Sequence, residues 1–122
     1  MDSSKRTLVI GASIKPERYA NMAVKILIEH NIETLAIGLK NGFIGEVEIQ
    51  TGLPVLDRIH TVTLYLGSDR QKPYYEYILS LKPKRIIFNP GTENPVLMQL
   101  ATASGIETLE ACTLVLLRTG NY

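Results

Sequence analysis

The chain has a single cysteine, Cys112, in 122 residues. One cysteine excludes an internal disulfide and suits a reducing, cytoplasmic setting. Cysteine and histidine nowhere cluster with metal-ligand spacing. No apolar run approaches the roughly 20 residues that a membrane span needs. The opening residues, Met1-Asp2-Ser3-Ser4-Lys5-Arg6, lack the apolar segment of a signal peptide. Charge of one sign is nowhere concentrated: 13 Lys+Arg stand against 12 Asp+Glu, for a formal net charge of +1. That balance argues against nucleic acid or an anionic membrane as the main partner. The dinucleotide fingerprint G-x-G-x-x-G is absent, and so is the P-loop pattern G-x-x-x-x-G-K-[ST]. With no repeat, linker or low-complexity tract either, residues 1–122 are expected to form one domain, long enough to bury its own core.

The most informative stretch that is present runs from Thr7 to Arg18, T-L-V-I-G-A-S-I-K-P-E-R. Three apolar residues lead into Gly11 and a small, polar, cationic loop, the way the first strand of a nucleotide-binding α/β domain ends. Gly11 adopts backbone angles closed to other residues and lets a ligand approach the main chain. Ser13 offers a hydroxyl, and Lys15 and Arg18 offer positive charge. A helix starting just beyond adds free N–H groups and a favourable dipole for an anion. The stretch reads as a phosphate cradle; the plainer reading is a strand-to-helix turn with solvated charges.

Further along, helical and strand patterns alternate. Residues 6–10 form a first strand. Tyr19 to Asn31 form a largely buried helix with a polar stripe at Asn21, Lys25 and Glu29, and Asn31 is its stop. Ile32 to Ile37 form a second strand. Asn41-Gly42 marks a tight turn, and Phe43 to Leu56 reads as an edge strand plus a loop, Val47 and Ile49 alternating with Glu46, Glu48 and Gln50 before Gly52 and Pro54 break the pattern. Thr61 to Leu66 form a strand rich in β-branched residues, followed by a loop in which Ser68 and Gln71 fit a capping box. Tyr74, Tyr77, Ile78 and Leu81 give a helix face. Arg85 to Phe88 form a strand, Asn94-Pro95 caps and starts a helix, Glu107 to Glu110 form a last strand, and Ala111 to Thr119 read as helix. The expected product is a Rossmann-like, doubly wound parallel sheet in a single three-layer domain, order 3-2-1-4-5. In such a sheet ligands sit at the carboxyl ends of the strands. That rule gathers Gly11–Arg18, Gly38–Gly42, Gly67–Ser68 and Asn89–Asn94 on one rim, polar, glycine-rich and cationic. The second-strand loop carries Gly38, Leu39 and Lys40 where an NAD site wants a carboxylate. A cation there suits a phosphorylated ribose, which NADP and coenzyme A both have.

The motif G-A-S-x-K-P-x-R-Y, with the alanine-containing helix after it and then G-x-P…L-D-x-I, resembles the small stand-alone CoA-binding proteins. These are similar to the CoA-binding domain at the front of the succinyl-CoA synthetase α subunit. Gly11-Ala12-Ser13, Lys15-Pro16, Arg18-Tyr19 and Ala23 carry the match, with Gly52-Leu53-Pro54, Leu56-Asp57, Ile59 and Asn89-Pro90-Gly91 adding to it. The resemblance implies a Rossmann-like domain that holds CoA or acyl-CoA across its rim. By position, Gly11, Ala12, Ser13, Lys15 and Arg18 would meet the phosphates and Lys40 would lie near the nucleotide. Asn89, Pro90, Gly91 and Thr92 would lie near the pantetheine arm. The chain departs from many relatives in having Leu39-Lys40 after its second strand and Phe88-Asn89-Pro90-Gly91 after a later one.

No catalytic constellation is legible. His30 and His60 have no third group to organise a triad, Cys112 reads as a small core residue, and the Tyr74-Tyr75-Tyr77 cluster as helix packing. The leading expectation is a binding module that does no chemistry alone, with a homodimer through an exposed helix or edge strand compatible with it. Two others stay open: an NADP-binding, reductase-like protein, and an interaction protein that keeps the fold without the ligand. Convergence of Lys15, Arg18 and the Asn89–Asn94 loop on one open pocket separates the first from the last.

Overall fold

The computed structural model describes residues 2–122. Seven strands form one sheet: β1 (Asp2–Ile10), β2 (Ile32–Ile37), β3 (Gly42–Ile44), β4 (Val47–Gln50), β5 (Thr61–Leu64), β6 (Arg85–Phe88) and β7 (Glu107–Glu110). Four helices connect or follow them: α1 (Tyr19–Glu29), α2 (Tyr75–Leu81), α3 (Pro95–Ala103) and α4 (Thr113–Arg118). The strand order is β3-β4-β2-β1-β5-β6-β7, parallel throughout except for the β3–β4 pair. The predicted order of five strands is therefore the middle of the sheet. It is extended by β7 on one side and by an antiparallel hairpin strand on the other.

The central strands are apolar on both faces because both faces are covered. Leu8, Ile10, Val62, Leu64, Ile86 and Phe88 pack with Ile78 of α2 and Leu97 and Ala101 of α3. Val9, Ala36, Ile49 and Ile87 pack with Ala20, Val24 and Leu27 of α1 and Leu117 of α4. Each fully buried Leu, Ile or Phe contributes about 1.5–3 kcal/mol. Among the described residues no helix is long and apolar enough to cross a membrane.

Several local expectations are corrected. β1 begins at Asp2 rather than residue 6, with an irregular register against β2 before Thr7. β5 stops at Leu64, because the chain bends away after Tyr65 donates its N–H to Ile10 O. Gly42 is the first residue of β3 rather than a turn residue; the reversal falls at Gly45, which has φ +59°. The Ser68–Gln71 capping box does not form. Two 3₁₀ turns, Ser68–Arg70 and Lys72–Tyr74, precede α2, and Gln71 is fully buried between them. Asn21 is buried rather than on the exposed stripe, donating its side-chain amide to Ser13 O at 2.9 Å. Other local expectations match: Asn31 closes α1 with φ +60°, and the Asn94 side chain accepts from Leu97 N at the start of α3.

Candidate functional site

At the carboxyl end of β1 the chain turns sharply. Gly11 has φ +99°, and the N–H groups of Gly11 and Ala12 both donate to Ile37 O at 2.9 Å. This shared acceptor ties the first rim loop to the end of β2. Gly38 sits at the joint: a Cβ there would lie 2.3 Å from Ala12 O and 2.9 Å from Ile49 Cγ2. Backbone packs where a side chain would be, so the two loops approach as closely as glycine allows. Past Gly11, Ser13 Oγ accepts from Lys15 N at 3.1 Å, and Arg18 N donates to Lys15 O at 3.1 Å. The loop is thereby folded on itself and delivers the chain to α1. No side chain caps the first turn of α1, so its leading N–H groups remain available to an anion.

On the other side of β1, the loops after β5 and β6 are joined by one side chain. Gln71 Nε2 donates to Leu66 O at 2.9 Å and to Thr92 O at 2.7 Å, while Gln71 Oε1 accepts from Asn94 Nδ2 at 2.9 Å. Asn94 Nδ2 also lies 2.7 Å from the Tyr75 hydroxyl. Beneath them Asn89 donates to Thr63 Oγ1 and Leu64 O and accepts from Thr113 N at 2.9 Å.

Between these loops lies an open cleft of about 530 Å³. Its first wall is Gly11, Ala12, Ser13, Lys15 and Arg18; Lys40 comes from the loop after β2, and Pro90, Gly91 and Thr92 from the loop after β6. Nine of the ten residues singled out from the sequence line it. The tenth, Asn89, is buried under the rim with its amide committed to β5 and α4, so it supports the loop rather than facing the cleft. Thr92 lines the cleft, but its hydroxyl donates to Asn89 O at 2.8 Å. Gly91 has φ +91° with open space around it, and its N–H donates to Glu93 Oε1 at 3.0 Å.

Sequence reasoning missed other lining residues. Ile14, Tyr19 and Leu39 border the cleft and are exposed; Tyr65, Arg70 and Tyr74 complete it from the β5 side. The signal for the last three was the loop at Gly67–Ser68, gathered on the rim by the strand-end rule but not followed past its glycine. Arg70 brings the lining cations to four, with Lys15, Arg18 and Lys40, and no lining residue is acidic. None of the four is in a salt bridge among the described residues. The surface is thus built to attract negative charge. Burial pushes the Tyr65 phenol up, and its hydroxyl has no hydrogen-bond partner among the described residues. His30, His60 and Cys112 do not line the cleft. His60 stands just before β5, at the opposite end of the sheet.

Several solved structures are similar to this chain. A crystal structure of an uncharacterized protein is 43% identical, covers 99% of this chain and 100% of its own, and superposes with a TM-score of 0.95. A hypothetical protein from Pyrococcus horikoshii OT3 is 26% identical over 91% of this chain and 80% of its own, with a TM-score of 0.83. An acetyl-coenzyme A synthetase from Ca. Korarchaeum cryptofilum, solved with phosphate and ADP, shares the fold at 15% identity and a TM-score of 0.70. There the match covers 89% of this chain and 26% of the synthetase chain. No curated protein matches in sequence. The family model for the CoA binding domain matches residues 5–118, nearly the whole length, and the chain belongs to that family.

Proposed function

We propose that the protein is a cytoplasmic binding module that holds CoA or acyl-CoA along the carboxyl rim of its sheet and carries out no reaction alone. The observation that carries this reading is convergence: Lys15, Arg18 and Lys40 meet the Pro90–Thr92 loop on one open cleft. An interaction protein that had given up its ligand would be free to fill or splay that rim.

The roles follow from the chemistry of each group. Gly11, Ala12 and Ser13 bring backbone and hydroxyl close to a phosphate, and Lys15 and Arg18 supply charge beside the open first turn of α1. Lys40 follows β2, where a Rossmann-like domain meets the ribose of its nucleotide, so it suits a ribose phosphate. Pro90, Gly91 and Thr92 border the path of the pantetheine arm. Asn89 serves that path indirectly, by fixing the loop. NADP shares the ribose phosphate, but the chain lacks G-x-G-x-x-G after its first strand.

A thermal-shift titration with CoA, acetyl-CoA, NADP and NAD tests the reading. Wild type is compared with a Lys15→Ala/Arg18→Ala double variant. A ligand specific to the native state adds RT ln(1 + [L]/Kd), about 2.7 kcal/mol at a hundredfold excess over Kd. The expected result is a shift with CoA or acetyl-CoA that the double variant loses. A shift with NADP but not CoA would overturn the reading in favour of a redox protein. No shift with any of them would favour the interaction protein.

A further inference from the structure

Building on the CoA reading, we propose that Arg70 is a ligand-binding residue, meeting the diphosphate of the nucleotide from the β5 side of the cleft. The four lining cations stand on three neighbouring strand ends. Lys40 follows β2, Lys15 and Arg18 follow β1, and Arg70 follows β5, in the order in which those strands lie in the sheet. Adjacent strands are about 4.8 Å apart, so the charge extends over roughly 10 Å of rim. The phosphate loop after β1 is in the middle, with Lys40 on one flank and Arg70 on the other. A diphosphate seated on the middle loop has Arg70 on the side away from the ribose phosphate.

Three observations separate Arg70 from an ordinary surface arginine. Its guanidinium makes no hydrogen bond or salt bridge among the described residues, although Asp69 precedes it; the Asp69 carboxylate faces Gly67 instead and does not line the cleft. Lys72, two residues on, is also exposed yet does not line the cleft. And the backbone that carries Arg70 is held: Arg70 N donates to Gly67 O at 2.9 Å, and the next residue is the fully buried Gln71. Gln71 acts as a positioning residue for this arginine, because its amide bonds fix the turn against the β6 loop. A planar fork of donors on a fixed turn suits phosphate oxygens taken two at a time.

Isothermal titration of CoA and of dephospho-CoA, which keeps the diphosphate but lacks the ribose phosphate, tests the assignment on wild type, Arg70→Gln, Arg70→Lys and Lys40→Gln. Arg70→Gln is expected to weaken both ligands by the same factor, roughly tenfold, with the ligand-free melting temperature unchanged. Arg70→Lys should recover part of the loss, keeping the charge but not the fork. Lys40→Gln should weaken CoA and leave dephospho-CoA near its wild-type affinity. Wild-type affinity of Arg70→Gln for both ligands would overturn the proposal, and a loss confined to CoA would overturn it by moving Arg70 to the ribose phosphate. Failure of wild type to bind either ligand would overturn the CoA reading itself, and is read from the wild-type arm alone.

Discussion

The side-chain amide of Gln71 donates to the carbonyl of Thr92 across 2.7 Å, joining two rim loops that are 21 residues apart in sequence. Replacing Gln71 with alanine would leave Leu66 O and Thr92 O without their donor and Asn94 Nδ2 without one acceptor. An unsatisfied buried group costs about 1–3 kcal/mol. Gln71→Ala is therefore expected to lower unfolding stability by about 3 kcal/mol in urea titrations, with a weaker ligand-dependent thermal shift.

The glycines of the rim should divide sharply. Gly38→Ala places a Cβ 2.3 Å from Ala12 O, a backbone oxygen that cannot move without the loop after β1. A loss of about 3 kcal/mol and of the CoA-dependent shift is expected. Gly91→Ala meets no neighbour within 4 Å and suffers only from its positive φ. It should cost about 1–2 kcal/mol, measured in the same titrations.

Tyr122 anchors the amino-terminal end of the sheet. Its hydroxyl is 2.6 Å from Thr7 Oγ1, the Arg85 guanidinium stands 4.4 Å from its ring centre, and Lys5 Nζ donates to its carbonyl. Tyr122→Ala removes a buried ring and uncovers Arg85, for a loss of about 3 kcal/mol by equilibrium denaturation.

His60 should make stability depend on pH. Partial burial, then Arg85, Lys5 and Lys84, hold its pKa below the ordinary 6.5, against a smaller opposing effect of Glu107. The folded protein therefore takes up this proton less readily than the unfolded chain. The stability contribution is fully present above about pH 6.5 and is lost as the pH falls from there through the lowered folded pKa. Urea midpoints between pH 5 and 8 should fall on the acid side for wild type and fall less for His60→Asn. Equal slopes would remove His60 as the cause.

Much of this fold was legible because local and long-range demands agree. Leu8–Ile10 and Ile86–Phe88 are unbroken apolar runs, and Val62–Leu64 is interrupted only by the β-branched Thr63, whose hydroxyl is hydrogen-bonded; a strand covered on both faces requires that. Asn31, Asn94 and Pro95 mark helix ends through backbone chemistry that needs no distant partner. What was illegible depends on residues far away in sequence. Gly42 reads as a turn, yet its missing side chain makes room for Ile14, whose Cγ2 would lie 2.5 Å from a Cβ. Gln71 has the spacing of a cap but serves as a cross-link, and Asn21 has the spacing of a solvated stripe but is drawn inward by Ser13 O. The cationic loop stood out because its charges cluster near one glycine. Arg70 did not, since only the turn ahead of α2 aims it at that cleft.

The sheet assigns different work to its two ends. At the carboxyl ends, glycines and cations that are in no salt bridge among the described residues hold space and charge open. At the amino ends, Tyr122, Arg85 and Thr7 close on one another. Groups so far apart share no partners, and their substitution energies should add. Stability can therefore be raised from the amino end without retuning the cleft, which makes this chain a practical frame for altering what the rim accepts.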